Sequence, residues 1–218
     1  MLGVGANLIK SAYSRGLAYV RDGLKLYMPY RGGSHDEVKF VGAGSTAFVK
    51  TSSQYVDCGD GTSLDITSAI TISAWIKPLT IDQTGFIVSR DNQGGSKRNY
   101  ALWLYNNEKL YFDIYIDDSQ EEVGSSTTVV ANTWYHVVCT YDGISQKIYI
   151  DGVEEDDDAV TGSIDNYDVS FEIGRKGDES DYFNGSIKNV AIWSRALTAT
   201  EVQNVMYKTY DEVGGRLA

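Results

Sequence analysis

Aromatic and acidic side chains alternate with apolar ones between residues 100 and 116. Successive side chains of a β-strand point to opposite faces of a sheet, so a hairpin here would separate the two kinds of residue. One face would join the core. The other would carry rings and a carboxylate: Trp103, Tyr105, Tyr111, Asp113 and Tyr115. Rings stack on the C–H faces of sugars and carboxylates accept hydrogen bonds from hydroxyls, so the pattern predicts a glycan-binding face.

A face covered by protein would show the same pattern of residues. Tryptophan and tyrosine are also enriched where proteins contact one another. The aromatic face of the hairpin could therefore lie under a neighbouring loop or against another subunit, including a second copy of this chain. The sequence leaves both interpretations open.

The segments that would position this hairpin also read as β-strands. In Ile70–Lys77 the residues Ile70, Ile72, Ala74 and Ile76 alternate with Thr, Ser, Trp and Lys, which predicts a strand with one core face. The other predicted strands are residues 22–30, 38–50, 54–58, 86–89, 132–143 and 146–152. Residues 90–99 are predicted as a polar loop. The five acids of residues 154–158 are predicted as a solvated turn, with weak cation binding as the alternative.

One short helix is predicted near the C-terminus. Thr198 and Glu201 have the spacing of a capping box, in which a hydroxyl and a carboxylate satisfy the first free amides of a helix. Val202, Val205 and Met206 then fall on one apolar face. The helix should pack that face on the sheets.

Three runs resemble the closing half of a laminin-G-like domain of the concanavalin A-like lectin/glucanase superfamily: residues 134–137, 149–152 and 183–198. Residues 48–58 and 69–77 are similar to the opening strands of that family, so the resemblance covers about residues 23–207. It implies an all-β, two-sheet antiparallel jelly-roll sandwich with one short C-terminal helix. We expect an N-terminal arm at 1–22, the sandwich at 23–210 and a tail at 211–218.

The resembling superfamily contains lectins, carbohydrate-binding modules and glycosidases, so the fold alone does not choose a function. Its glycosidases carry carboxylates at alternate positions of one strand, whereas Asp113 and Asp117 are four residues apart. His35 lies in a turn rich in Gly and Ser, and His136 lies in a predicted strand, which gives a Ser–His–acid triad little support. We predict a protein that is not an enzyme, with glycoside hydrolysis as the weaker alternative.

A candidate calcium site is implied by resemblance to the pentraxin branch of the superfamily. Asp91, Asn92 and Asp178 match the oxygen ligands that this branch uses. Lys176 and Gly177 replace expected oxygen donors, and a lysine beside calcium would oppose its binding. The alternative is a loop in which lysine and aspartate pair with each other. Calcium is the one candidate cofactor.

Composition limits the other partners. The net charge of −11 argues against sequence-independent binding of nucleic acid, which needs clustered Lys and Arg. No apolar run is long enough to predict a membrane span, and the N-terminus lacks the pattern of a signal peptide, so we expect synthesis in the cytoplasm. Cys58 and Cys139 are predicted as small apolar strand residues, with a disulfide between them as the alternative.

The first 21 residues differ from the rest of the chain, since Lys10, Arg15 and Arg21 give them a charge of +3 with no acid. Apolar residues recur there at helical spacing: Leu8, Ile9, Tyr13 and Leu17. This segment is either a frayed terminus or an arm that attaches to a partner. A basic arm followed by one such domain resembles laminin-G-like structural proteins of bacteriophages. That resemblance implies a virion-surface protein, of the capsid-decoration or fibre type, attached to a capsid protein through the arm; a free lectin module is the alternative.

Overall fold

The computed structural model describes residues 22–28, 46–91, 98–177 and 180–207. Two antiparallel sheets face each other across one core, as predicted. Sheet A has the order β1-β13-β4-β9-β10-β11, with β2 also paired to β13. Its strands are β1 (Leu24–Met28), β2 (Thr46–Phe48), β4 (Ile70–Pro78), β9 (Tyr135–Tyr141), β10 (Gln146–Ile150), β11 (Val153–Asp158) and β13 (Gly185–Trp193).

Sheet B has the order β3-β12-β5-β6-β7-β8. Its strands are β3 (Val56–Asp57), β5 (Gly85–Asp91), β6 (Arg98–Leu104), β7 (Leu110–Ile116), β8 (Ser119–Gly124) and β12 (Phe171–Ile173). Short 3-10 turns occupy Lys50–Ser52 and Thr62–Leu64. The β6–β7 hairpin, on which the candidate glycan face was predicted, lies towards one edge of this sheet.

The core follows the alternation seen in the sequence. Ile70, Ile72, Ala74 and Ile76 of β4 are all fully buried, and they face Leu102, Leu104, Phe112 and Ile114 of sheet B within one hydrophobic cluster. Burying such side chains removes about 25 cal/mol of unfavourable hydration per Å² of apolar surface. The core therefore holds the two sheets together and fixes which face of each strand points outward.

The C-terminal helix α1 (Ala199–Tyr207) confirms the predicted capping box. The amide of Glu201 donates to the Thr198 hydroxyl at 3.3 Å, and the amide of Thr198 donates to the Glu201 carboxylate at 2.9 Å. The Arg195 guanidinium also binds this carboxylate at 2.6 and 2.8 Å and lowers the pKa of Glu201 to about 2. Val202 and Val205 pack on Trp193 and its neighbours on the outward face of sheet A.

The acidic run corrects one prediction, because it is a strand and not a turn. Val153–Asp158 forms β11 at the edge of sheet A, paired only with β10 among the described residues. The turn before it is made by Asp151 and Gly152, both at positive φ. Carboxylates on an exposed edge remain hydrated and discourage another strand from pairing there, which explains why so many acids are tolerated.

Arg90 corrects a second prediction, because it lies in β5 and not in a polar loop. Its side chain is fully buried. The guanidinium donates to the carbonyls of Leu64 and Val169 and pairs with the Asp65 carboxylate. These partners make a buried charge tolerable, since an unpaired one would be very costly. The strand therefore continues to Asp91.

Smaller differences concern the predicted strand at 38–50 and the cysteines. Residues 38–45 lie outside the described residues, β2 ends at Phe48, and Lys50 already begins a 3-10 turn. Cys58 and Cys139 are both free, so the alternative of a disulfide is wrong. No helix within the described ranges is both long and apolar enough to cross a membrane.

Candidate functional site

The outward face of sheet B brings together the residues that the hairpin pattern predicted. Trp103 on β6 is directly opposite Tyr111 on β7, and Ala101 is opposite Asp113. Glu108, at φ 68°, closes the turn by donating its amide to the Tyr105 carbonyl at 3.1 Å. The inward and outward sets therefore separate as strand alternation requires.

Four rings form a cluster on this face, which we call the sheet B aromatic cluster: Phe86, Trp103, Tyr105 and Tyr111. Trp103 lies between Phe86 and Tyr111, with centroid distances of 5.5 and 5.0 Å and interplanar angles of 9° and 26°. Tyr105 meets Trp103 edge-on at 5.3 Å. Such offset and edge-to-face arrangements are the favoured geometries of aromatic pairs. The rings are therefore held in fixed orientations before any ligand arrives.

Exposure differs among the rings of this cluster. Tyr105 is 39% exposed, Trp103 and Tyr111 are half-buried, and Phe86 is buried. Sequence reasoning missed Phe86, because its contact with Trp103 depends on strand pairing between β5 and β6. The accessible part of the cluster is thus formed by Tyr105 and the outer portions of Trp103 and Tyr111.

The absence of a side chain at Gly124 on β8 leaves room for the Tyr111 ring. A Cβ atom at this position would lie 2.7 Å from Cε1 of Tyr111, which is too close for any real side chain. The pairing register sets Gly124 directly opposite Tyr111, so the ring lies over the glycine. The hydroxyl of Tyr111 accepts a hydrogen bond from Asn107 Nδ2 at 2.8 Å. Both ends of the ring are therefore positioned.

Asp113 is buried and not part of an open surface, which corrects the expectation of a carboxylate exposed beside the rings. It is 4% exposed, and Gln120 Nε2 donates to its Oδ2 at 2.9 Å and to Oε2 of the opposite Glu122 at 3.3 Å. Burial, and secondarily the charge of Glu122, raises the pKa of Asp113 to about 7. The nearby Trp103 side chain acts in the opposite direction and lowers the pKa of Asp113. Even so, neither Trp103 Nε1 nor Asp113 Oδ1 forms a hydrogen bond of normal geometry within the described residues.

Tyr115 is also buried and is engaged by a neighbouring cation. Arg98 donates to the Tyr115 hydroxyl at 2.6 Å and lies 5.5 Å from the centre of its ring. The same guanidinium pairs with the Asp91 carboxylate at 3.3 Å. The predicted glycan residues thus divide into two groups, with Trp103, Tyr105 and Tyr111 reaching the surface and Asp113 and Tyr115 beneath it.

A cavity of about 370 Å³ lies further along sheet B, next to Asp91, Glu172 and Arg175. Arg175 binds Glu172 through two parallel hydrogen bonds of 2.8 and 2.6 Å. The Tyr55 ring stacks 3.5 Å from the same guanidinium. The cavity is therefore acidic at its rim but contains a fixed internal cation.

The described part of this cavity suits a calcium ion poorly. Arg98 and Arg175 already compensate the charges of Asp91 and Glu172, and a nearby guanidinium repels a divalent cation. Within the four described ranges, no group of three or more His, Cys, Asp or Glu side chains is placed to hold a metal ion. The other two predicted ligands, Asn92 and Asp178, lie outside the described residues, so calcium binding stays a prediction.

His136 offers no triad in the described part of the chain. Its Nε2 is 2.9 Å from the Ser73 hydroxyl, but its Nδ1 is buried with no partner there. Burial lowers the pKa of His136 to about 3, so the ring is neutral. A nucleophilic serine would need an acid on Nδ1 to orient the ring. The pair contributes to packing beside Trp75, which is opposite His136 on the neighbouring strand with a distance of 5.2 Å between the ring centres.

Residues 50–203 match the family model Laminin_G_3, described as the concanavalin A-like lectin/glucanases superfamily. The chain therefore belongs to this family, as the sequence motifs predicted. No curated protein shows significant sequence similarity to the chain. Membership establishes the sandwich fold and leaves the ligand to be argued from the surface.

Solved structures share the fold at low sequence identity. The binding domain of Paraclostridial Mosquitocidal Protein 1 has a TM-score of 0.68 at 17% identity, covering 84% of this chain and 52% of its own. The binding domain of Botulinum Neurotoxin serotype G has a TM-score of 0.65 at 15% identity, with 84% and 50% covered. The chain thus spans about half the length of either toxin domain. A heptameric SAP-like pentraxin from Limulus polyphemus has a TM-score of 0.52 at 20% identity, with 66% and 73% covered.

Proposed function

We propose that this protein is a non-catalytic, lectin-like module that binds a glycan on the sheet B aromatic cluster. The observation that carries the proposal is the half-exposed ring stack of Trp103 and Tyr111 with Tyr105 exposed at its edge. Flat rings held rigidly at a surface can stack on sugar C–H faces without losing side-chain freedom on binding. Family membership and the similarity of the fold to the binding domains of two toxins support a binding role.

A neutral sugar fits this cluster best. The Asp113 carboxyl on the same face is buried and has a pKa raised to about 7, so it contributes less fixed charge than an exposed carboxylate would. The polar groups beside the rings include the Asn107 side-chain amide, which donates to the Tyr111 hydroxyl. Such groups match sugar hydroxyls in both donor and acceptor character.

The test is a glycan array with the full chain, followed by calorimetric titration of the best neutral sugar. We expect Trp103→Ala and Tyr105→Ala each to weaken binding at least about tenfold. Each variant removes one ring, and stacking on a ring contributes about 1–3 kcal/mol to the free energy of binding. Ile144→Ala is the matched control, since Ile144 is 65% exposed on the β9–β10 turn. Binding that survives both ring variants would contradict the site.

Hydrolysis is the competing function for this site. Incubating a polysaccharide panel with the full chain and with Asp113→Asn separates the two. We expect no release of reducing ends by either protein. Turnover by the wild type that Asp113→Asn abolishes would overturn the non-catalytic part of the proposal.

We also propose, from the sequence alone, that the arm attaches this module to a virion surface. The support is the charge of +3 in residues 1–21, against −14 for the remainder of the chain (−11 minus +3), and the apolar Leu8, Ile9, Tyr13 and Leu17. All of these residues lie outside the described residues. Light scattering after size-exclusion chromatography compares the full chain with a version lacking 1–21. A defined oligomer or capsid-protein complex formed only by the full chain supports attachment, and identical monomers contradict it.

A further inference from the structure

Two buried polar atoms on the outward face of sheet B lack hydrogen bonds, although they are chemically complementary. Trp103 Nε1 carries an N–H and can only donate, whereas Asp113 Oδ1 can accept. Both atoms are shielded from solvent, and neither has a partner of normal geometry among the described residues. An unpaired buried donor or acceptor is costly, so these two atoms call for an explanation.

The strand register makes the two side chains neighbours. Trp103 is opposite Tyr111 and Ala101 is opposite Asp113, so Trp103 and Asp113 occupy diagonal positions on one face. Ala101 carries only a methyl group at the position opposite the carboxyl, which leaves room for the indole to approach it. The indole also lowers the pKa of Asp113, as a nearby N–H donor to the ionised form does. The indole N–H is thus a donor within reach of Oδ1.

The other oxygen of Asp113 is already bound, and a second carboxyl lies beside it. Gln120 Nε2 donates to Asp113 Oδ2 at 2.9 Å and to Glu122 Oε2 at 3.3 Å. Glu122 is directly opposite Asp113, and like charges at such positions repel each other. A proton on Asp113 relieves this repulsion, which is one reason, after burial, why the pKa of Asp113 is raised to about 7. The carboxyl therefore changes its charge near neutral pH.

The other charged groups around Asp113 keep their charge over the same range. Arg98 of β6 lowers the pKa of Asp113 by its charge, and it pairs with Asp91 of β5 at 3.3 Å. Although burial opposes it, the hydrogen bond to Tyr115 and the Asp91 charge raise the pKa of Arg98. Burial also raises the pKa of the Tyr115 phenol on β7. Arg98 stays charged and Tyr115 neutral, so the Asp113–Glu122 pair is the group that titrates here.

We propose that Asp113 is a positioning residue of the glycan site: when ionised, its Oδ1 accepts the Trp103 indole N–H and fixes the ring that meets the sugar. This inference rests on the proposed function, and it replaces the expectation that Asp113 binds the sugar directly. A charge-assisted hydrogen bond is about twice as strong as a neutral one, so the protonated carboxyl holds the indole less firmly. A ring fixed beforehand loses less freedom when a ligand binds. Glycan affinity should therefore rise as the carboxyl loses its proton.

Two-dimensional NMR of the ligand-free full chain tests the contact without a sugar. We expect the Trp103 indole N–H resonance to move downfield as pH rises, with a midpoint at about pH 7. It should stay fixed in Asp113→Asn, which cannot ionise. Glu122→Gln should keep the movement but shift its midpoint to lower pH, because the Glu122 charge helps to raise the pKa of Asp113. Asp60→Asn is the matched control, since Asp60 is exposed after β3, at the opposite edge of sheet B from β8, and it should leave the midpoint unchanged.

Calorimetric titration with the best neutral sugar from the array tests the consequence for binding. We expect the affinity of the wild type to be at least about fivefold higher at about pH 8.5 than at about pH 5.5, which is the lower end of typical couplings between two sites. In Asp113→Asn the two affinities should be equal, and in Asp60→Asn the wild-type difference should persist.

Three results would overturn the proposal. They are a wild-type indole resonance that does not respond to pH, a pH response that persists in Asp113→Asn, and a sugar affinity that is equal at both pH values while the indole titrates. A titrating indole in a chain that binds no neutral sugar would support the contact and contradict the proposed function, so the two failures are distinguishable.

Discussion

Individual side chains on the outward face of sheet B are fixed by close contacts rather than by the strand pattern alone. The Tyr111 ring lies over Gly124, where a Cβ would come within 2.7 Å of it. Asp113 is covered by Gln120 and Glu122 of the neighbouring strand. These contacts decide which of the alternating residues reach solvent, and so which of them can meet a ligand.

Gly124→Ala should displace the Tyr111 ring and disturb its stacking on Trp103. We expect a loss of about 1–3 kcal/mol in the free energy of unfolding, as overpacking generally causes. Urea denaturation measures it. Glycine-to-alanine replacement at Gly61, whose Cβ would make only an ordinary contact of 3.9 Å with the Ser63 hydroxyl, is the control, with an expected change below about 0.5 kcal/mol. Equal effects at both positions would contradict the contact.

Asp113→Asn should change how stability depends on pH. The pKa of Asp113 is raised from 3.8 to about 7 by burial, so between these values the folded state holds a proton that the unfolded chain has lost. This group therefore lowers stability as pH rises from about 4 to about 7, and above that range its destabilising contribution is constant. We expect the asparagine variant to gain on the order of a few kcal/mol relative to wild type between about pH 4 and pH 8.

The measurement is urea denaturation of both proteins across that pH range. Glu122 is the nearest charged neighbour and Arg98 the nearest cation, and both remain in the variant. A constant difference between the two proteins at every pH would contradict a buried carboxyl that titrates near neutrality.

At the level of elements, the helix α1 depends on a short network around Glu201. This carboxylate binds the Thr198 amide and receives two hydrogen bonds from Arg195, whose charge lowers its pKa to about 2. Arg195 also donates to the Asp22 carbonyl at 3.0 Å, next to the start of β1. One side chain thus connects the helix start to the first strand.

Glu201→Gln should remove the ion pair while keeping the size of the side chain. We expect a loss of about 1–2 kcal/mol at neutral pH, from the helix cap and the partly exposed pair together. The pKa of this group is lowered in the folded state, so its contribution is present above about pH 4.5 and is lost as pH falls towards 2. Thermal unfolding at neutral and at acidic pH should therefore show the two proteins converging in acid.

The sequence predicted those elements whose signals are local. The alternation of β4, the hairpin of β6 and β7 and the capping box at Thr198 all depend on residues within a few positions of each other. Arg90 was misplaced because its partners, Leu64, Asp65 and Val169, are distant in sequence. A charged residue looks like a loop residue until such partners are known.

The edge strand of the acidic run and the contact between Trp75 and Lys188 were missed for a related reason. Only the pairing with β10 shows that residues 153–158 form an edge strand. Likewise, Trp75 and Lys188 are far apart in the chain and meet because β4 and β13 are neighbours. Strand order is a long-range property, so no local pattern of Trp and Lys could indicate this contact.

At the scale of the whole molecule, the arginines that pair with carboxylates at sheet B disfavour the binding of a calcium ion. Arg98 pairs with Asp91 and Arg175 with Glu172 in the part of the sandwich where the pentraxin resemblance implies an ion. We expect these cations to prevent calcium binding, so millimolar calcium should leave the melting temperature within about 1 °C of that in EDTA. If calcium did bind, at 100 times its Kd it would add about 2.7 kcal/mol to the free energy of unfolding and raise the melting temperature by several degrees. A rise of several degrees would contradict this and would restore Asn92 and Asp178 as ligands.

A concentration of acidic residues lies on one side of the molecule's surface. Acidic strands β8 and β11 lie next to each other along one side of the sandwich, and β8 is also the strand that pairs with β7 beside the sheet B aromatic cluster.

NMR titration of the full chain with the best neutral sugar from the array would show whether the sheet B aromatic cluster binds a neutral glycan, as we claim. We predict that the Trp103 indole resonance and the Tyr105 amide shift most, and that the indole of Trp193, which is fully buried on the other sheet, does not move. Shifts confined to other residues, or saturable binding with the Trp103 indole unchanged, would contradict the claim.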